Sequence, residues 1–401
     1  MPVAEPPPRP EATSEPAPIP PSAVLPPYRE LADIRPIAVP VDRPAFWGGQ
    51  VTRLTLKSAE PPRRPRPLLP GTAEFTAPWL ANWHDVADGW PARDVACYFA
   101  QDVVVTAGGE IWLDQQLLTT PELMAGYTYS LVLGLPDGGD AFVARSQQPI
   151  RDIDPPCVVM PGGPAVFGHF LIEIMLYVLS VERMLLASGL NSGYLVRDDA
   201  PGWFRRMLNV DLGIAAERLV YYSPNAERIR LRHAILPTMV HRGDGFHPYA
   251  AELLAELLDR IEMPPPPLST RRLFLSRVAH VKAGLSIGNR ACVNESALVA
   301  DAVARHGFVA VALEAYPWRE QIALMRNAEM VAGLFGSAMH STMYAPPGTR
   351  VVCVGLGNLV QSEIGALWQH DMAYMTEGVD VSASYSVDEA AFARFLDAAC
   401  A

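Results

Sequence analysis

After the proline run at residues 264–267, apolar β-type segments and amphipathic helical segments alternate, joined by loops a few residues long. Connections that short force neighbouring strands to run parallel, because each return across the sheet is made by a helix. The pattern predicts strands at 273–275, 308–313, 330–335 and 350–355. Between them it predicts a helix from Asn294 to His306 with Gly307 as its stop, and one from Pro317, in the first turn, to Asn327. A short helix follows Gly336-Ser337-Ala338 and ends at Pro346-Pro347-Gly348. Ser386 and Glu389 spell a capping box for a last helix at 387–398. Ligands of such sheets sit beyond the C-terminal strand ends. The residues that matter are therefore those just after Leu275, Leu313, Phe335 and Gly355.

A stiff proline run between two periodic regions reads as a domain boundary. Upstream of it, a helix is expected at 248–261. A long, almost wholly apolar helix is expected at 169–187, closed by Gly189, with short strands at 96–106, 110–113, 157–160, 194–197, 218–222 and 233–236. Residues 61–70, proline-rich with three arginines, read as an exposed loop of this first domain. Residues 1–27 carry eleven prolines and read as a disordered tail. The expected organisation is a tail at 1–27, an N-terminal lobe at 28–263 and a C-terminal lobe at 264–401.

Charge excludes some functions. The 32 basic and 43 acidic residues leave a net charge of −11, which speaks against nucleic acid or an anionic membrane as the main partner. Lys57 and Lys282 are the only lysines, so a bound anion is held mostly by arginine forks. Five scattered cysteines suggest neither a metal site nor a disulfide framework. The apolar stretch 170–190 is broken by Glu173, Glu182 and Arg183, too often for a membrane span. No secretory h-region opens the chain, so a cytoplasmic location is expected.

Three places carry candidate chemistry. Ser276 and Arg277 follow the first strand, and Lys282, Arg290 and the helix start Asn294-Glu295 come next. An arginine at a strand end suits a phosphate, and is also an ordinary surface residue. Gly336-Ser337-Ala338 precedes a helix whose first turn holds His340 and Ser341. Small residues and free N–H groups there suit an anion, although the same glycine serves a plain turn. On the long apolar helix His169 and Glu173 stand four apart and Ser180 seven further on. This polar stripe either pairs internally or faces a cleft.

The strings Phe274-Leu275-Ser276-Arg277, Arg290, Asn294-Glu295, Glu320-Gln321, Gly336-Ser337-Ala338-Met339-His340 and Pro346-Pro347-Gly348, with Gly168-His169-Phe170-Leu171-Ile172-Glu173, resemble glycosyltransferase family 61 in its bacterial capsular-polysaccharide form. Phe335 stands where many eukaryotic members have histidine, and Ser341 stands where bacterial members have asparagine. The resemblance implies an α/β fold of the GT-B type, two Rossmann-like lobes with a cleft between them. It implies an inverting, metal-independent transfer of sugar from a nucleotide-sugar donor to a glycan acceptor. The nucleotide sugar is a co-substrate, and no cofactor is expected. Donor-side residues would be Ser276, Arg277, Lys282, Arg290, Asn294, Glu295, Gln321, Gly336, Ser337, His340 and Ser341. His169 and Glu173 are the candidates for the base. Asp152-Ile153-Asp154 has the spelling of a metal motif but precedes its strand. Two other readings stay open, a non-catalytic nucleotide-sugar-binding protein and a nucleotide-sugar epimerase; a transferase needs an acceptor groove in the first domain, and an epimerase needs none.

Overall fold

The computed structural model describes residues 28–30, 51–85, 92–106, 109–114, 116–119, 147–160, 166–242, 245–282, 291–355, 359–380 and 385–401. The proline-rich stretch 1–27, the loop at 161–165 and Arg290 lie outside the described residues.

The C-terminal sheet has five parallel strands. From one edge they are Val309–Val311, Arg272–Leu275, Met330–Leu334, Arg350–Val354 and Asp371–Met375. Covered on both faces, the inner strands are continuous apolar runs, as burial on two sides requires. The chain starts at Arg272–Leu275, moves outward to Val309–Val311, then returns past its start to Met330–Leu334. The strand order therefore reverses between Arg272–Leu275 and Met330–Leu334. In open α/β sheets such a reversal is where ligands bind, beyond the C-terminal strand ends.

The N-terminal sheet departs from the expected Rossmann-like lobe. Five of its ten strands run parallel to one another, Ile150–Ile153, Arg228–Pro237, Cys157–Val159, Gly193–Arg197 and Leu219–Tyr222, and Tyr28–Glu30 pairs parallel with Gln116–Thr119. Arg93–Val105 joins antiparallel to Arg228–Pro237, and Val51–Glu60 antiparallel to Arg93–Val105. The cause lies between Val51–Glu60 and Arg93–Val105. Instead of a crossover helix on the same sheet, residues 61–85 leave for the C-terminal sheet and come back. Arg63 donates to the Leu367 carbonyl at 2.9 Å, Leu69 N–H to Met372 O at 2.8 Å, and Thr76 Oγ1 to Tyr374 O at 2.8 Å. Phe75 sits in the C-terminal core, its ring 5.4 Å from that of Phe395. The stretch 61–70 is thus strapped to the C-terminal sheet and is not a loop of the first domain.

The long helix runs as Phe167–His169, a π-helical turn Phe170–Ile174, and Met175–Ser188, stopped by Gly189 at φ 65°. The π turn adds a residue to the ladder, so a polar stripe counted at 3.6 residues per turn loses phase beyond it. Ser180 accordingly leaves the stripe; it is buried and donates to the Tyr177 carbonyl at 2.8 Å. One apolar core runs unbroken from the N-terminal sheet through this helix to Leu273, Val331 and Tyr344. At the C-terminus the cap is Asp388, accepting from Ala391 N–H at 2.7 Å, and Ser386 belongs to the strand Ser386–Val387 instead. Among the described residues no helix is long and apolar enough to cross a membrane.

Phe75→Ala should lower the unfolding free energy by about 3–5 kcal/mol, the range for emptying a core aromatic site. Urea denaturation measures it. A change below about 1 kcal/mol would mean that the strap 61–85 adds nothing to the C-terminal core.

Candidate functional site

Arg277 and Gly336 meet at the reversal of strand order. A side chain on Gly336 would start 3.1 Å from the Arg277 guanidinium, so glycine is what lets the arginine lie across the end of the neighbouring strand. Arg277 Nη1 donates to the Phe335 carbonyl at 3.3 Å. Its backbone is held from behind by Glu295, which accepts from Arg277 N–H at 2.5 Å and from Ser276 Oγ at 3.0 Å. Burial pushes the Glu295 carboxyl up, and these hydrogen bonds pull it back. Ser276 and Glu295 therefore shape the turn that presents the guanidinium.

The other wall is the start of the long helix. Gly168 comes so close to the turn Ser337–Tyr344 that an added Cβ would sit 2.7 Å from His340 Nδ1 and 2.8 Å from Ser337 Oγ. Burial pushes the His340 imidazole down to about 4, opposed by a hydrogen bond to the Gly168 backbone. His340 is thus neutral at pH 7. Next to Gly168, His169 is half exposed, and its Nδ1 lies 3.1 Å from Glu173 Oε2. The neighbours Phe170, Leu171, Ile172 and Ile174 are buried, so His169 and Glu173 form the polar edge of an otherwise apolar seam.

The remaining sequence candidates sit elsewhere. Asn294 stands at the helix N-cap position, but its side chain does not cap. Its amide donates to Val387 O at 2.7 Å, fastening the strand Ser386–Val387. Gln321 is buried and donates to Tyr316 O at 2.9 Å, bracing the turn before its helix. Ser341 is buried one residue beyond His340. Lys282 ends the short helix Val278–Lys282 and is exposed. Asp152 is an exposed partner of Arg230 at 3.1 Å.

Sequence reasoning missed a second histidine–carboxylate pair. His241 Nε2 lies 2.6 Å from Glu363 Oε2, both side chains buried. The one available signal was a glutamate inside the apolar run Leu359–Trp368, a helix that also went unrecognised.

A parallel sheet with an arginine at its switch point, and a histidine–glutamate pair on the adjoining helix start, has the layout of an α/β enzyme. The family model for Glycosyltransferase 61 matches residues 167–352, from the Gly168–His169 helix start to the fourth strand of the C-terminal sheet. The chain carries a glycosyltransferase family 61 domain and is a glycosyltransferase. Comparison with curated proteins finds no match.

Two outcomes follow from this geometry. Gly168→Ala should cost about 1–3 kcal/mol, the usual range for overpacking, whereas Gly202→Ala, with nothing within 4 Å of the added carbon, should stay within about 0.5 kcal/mol. Equal effects in chemical denaturation would contradict the close approach. His340 and His370 are both pushed by burial from an ordinary 6.5 to about 4. Between those values the unfolded chain binds more protons, so stability falls as pH drops from 6.5 towards 4. His340→Gln should flatten that fall in melting curves taken across the window; an unaltered slope would count against a neutral buried imidazole.

Proposed function

We propose that the protein is an inverting, metal-independent transferase that moves a sugar from a nucleotide-sugar donor to a glycan acceptor in bacterial polysaccharide synthesis in the cytoplasm. The observation that carries this reading is the Arg277 guanidinium lying against Gly336 at the switch point. There a diphosphate would meet a two-pronged cation and the backbone N–H groups of the turn that begins at Ser337. As the anomeric carbon–oxygen bond breaks, charge gathers on the leaving diphosphate. In this reading Arg277, the N–H groups of that turn, and Lys282 or Arg290 stabilise it without a metal. The acceptor hydroxyl attacks the anomeric carbon from the opposite side, which inverts its configuration.

His169 takes the hydroxyl proton. Glu173 holds Nδ1, leaving Nε2 as the accepting atom, and stabilises the imidazolium that forms. Ser276 and Glu295 set the Arg277 turn, and Ser337 and His340 line the donor side. Donor binding falls to the C-terminal sheet and acceptor binding to the N-terminal one.

Arg277→Ala should weaken nucleoside diphosphate binding by about 1.5–3 kcal/mol, measured by calorimetry, with the bare nucleoside little affected. An equal loss for both ligands would remove Arg277 from the phosphates. His169→Ala should lower turnover by about 10²–10⁴ with donor affinity kept; lost donor affinity instead would make it a donor-site residue. EDTA should leave activity intact, and rescue of an EDTA-inactivated enzyme by Mn²⁺ would refute the metal-free mechanism.

A further inference from the structure

His241 and Glu363 add a polar tie between a hairpin and a helix that already pack against each other. His241 lies in the hairpin His241–Arg242 with Gly245–Phe246, which follows the N-terminal sheet's strand Arg228–Pro237. Glu363 lies in the helix Leu359–Trp368 beside the C-terminal sheet. The two side chains are 3% and 1% exposed, and the Phe246 ring covers His241 at 4.2 Å. The outer atoms, His241 Nδ1 and Glu363 Oε1, are buried with no hydrogen-bond partner among the described residues. A half-satisfied buried pair is no more stabilising than apolar side chains of similar size, and often less. Stability alone therefore does not account for it.

What the pair connects does. The strand His241–Arg242 packs on the π turn Phe170–Ile174, which carries Glu173 and follows His169. The helix Leu359–Trp368 packs on the turn Ser337–Tyr344. From that helix Gln361 donates to Met339 O at 3.0 Å and to Thr342 Oγ1 at 2.6 Å, gripping the turn. The adjacent Ser362 bonds Tyr374 Oη at 2.6 Å and His84 Nδ1 at 2.9 Å, anchoring the helix to its own sheet. One polar contact of 2.6 Å thus links the backing of the His169 wall to the backing of the His340 wall.

We propose that His241 and Glu363 are a positioning pair for the transfer reaction, fixing the π turn of His169 and Glu173 against the turn of Ser337 and His340. The inference rests on the reading that these walls flank the reacting groups. Neither residue touches substrate; the pair acts through the segments it ties.

The test uses the full chain with His241→Leu and Glu363→Leu together. Exchanging a buried pair for apolar side chains leaves stability unchanged or raised, so the melting temperature should match or exceed that of the wild type. Amide hydrogen exchange at 167–174 and 337–344 should rise at least about tenfold, while the remote strand Gly193–Arg197 stays unchanged. Turnover, followed as nucleoside diphosphate released from a panel of nucleotide sugars with acceptor glycans, should drop by about 10²-fold, as misplacement near 1 Å does. The donor KM should stay within about twofold, since uniform binding is not what is lost. A folded double variant with unchanged exchange in both segments, or with unchanged turnover, overturns the proposal. A wild type that turns over no nucleotide sugar defeats the transferase reading, and the exchange result still decides the positioning role. If the leucine pair does not fold, His241→Gln with Glu363→Gln is read by the same two measurements.

Discussion

The place where Gly168 comes against His340 and Ser337 governs the rest of the molecule. Two sheets of different construction are brought together there through a backbone with no side chain in the way. With any Cβ at 168, the imidazole and the hydroxyl would have to retreat. Because they do not, His340 is desolvated and stays neutral, and the next residue, His169, is left on the edge of the seam. The apolar remainder of the helix then extends the core across the junction. Burial on that scale resists separation of the two halves, since core packing is intolerant of small displacements.

The C-terminal sheet contributes direction. Its order turns back on itself between Arg272–Leu275 and Met330–Leu334, and the two strand ends bring Arg277 and Gly336 into contact. Glu295 shows how the geometry is held. A buried carboxylate gathers the Arg277 N–H and the Ser276 hydroxyl, so the turn is rigid before a ligand arrives. Prearranged donors of this kind need no reorganisation during reaction, which is why they stabilise developing charge well.

Much of this was legible in the sequence, for identifiable reasons. The strands around Phe274, Val331 and Val352 are short apolar runs with punctuation on both sides, so their parallel order followed from loop length. Arg277 and Gly336 stood out as strand-end residues. The antiparallel half of the N-terminal sheet was hidden because its cause, the excursion of residues 61–85 to the other sheet, is a tertiary contact. The π turn at Phe170–Ile174 has no local signature, and it put Ser180 out of phase. His241 and Glu363 lie 122 positions apart, in elements whose patterns are weak because polar residues are buried within them. Spacing rules see neighbours along one element and are blind to such a pair.

The account turns on where a diphosphate binds. A crystal structure of the protein with a nucleoside diphosphate would test it most directly. The account predicts the phosphates between the Arg277 guanidinium and the N–H groups of Ser337–Tyr344, within hydrogen-bonding distance of both. A groove lined by Asn294, Gly378, Val379, Ser386, Val387 and Asp388 lies at the separate two-stranded sheet of Val379–Asp380 and Ser386–Val387. Phosphates found in that groove, with Arg277 untouched, would contradict the account.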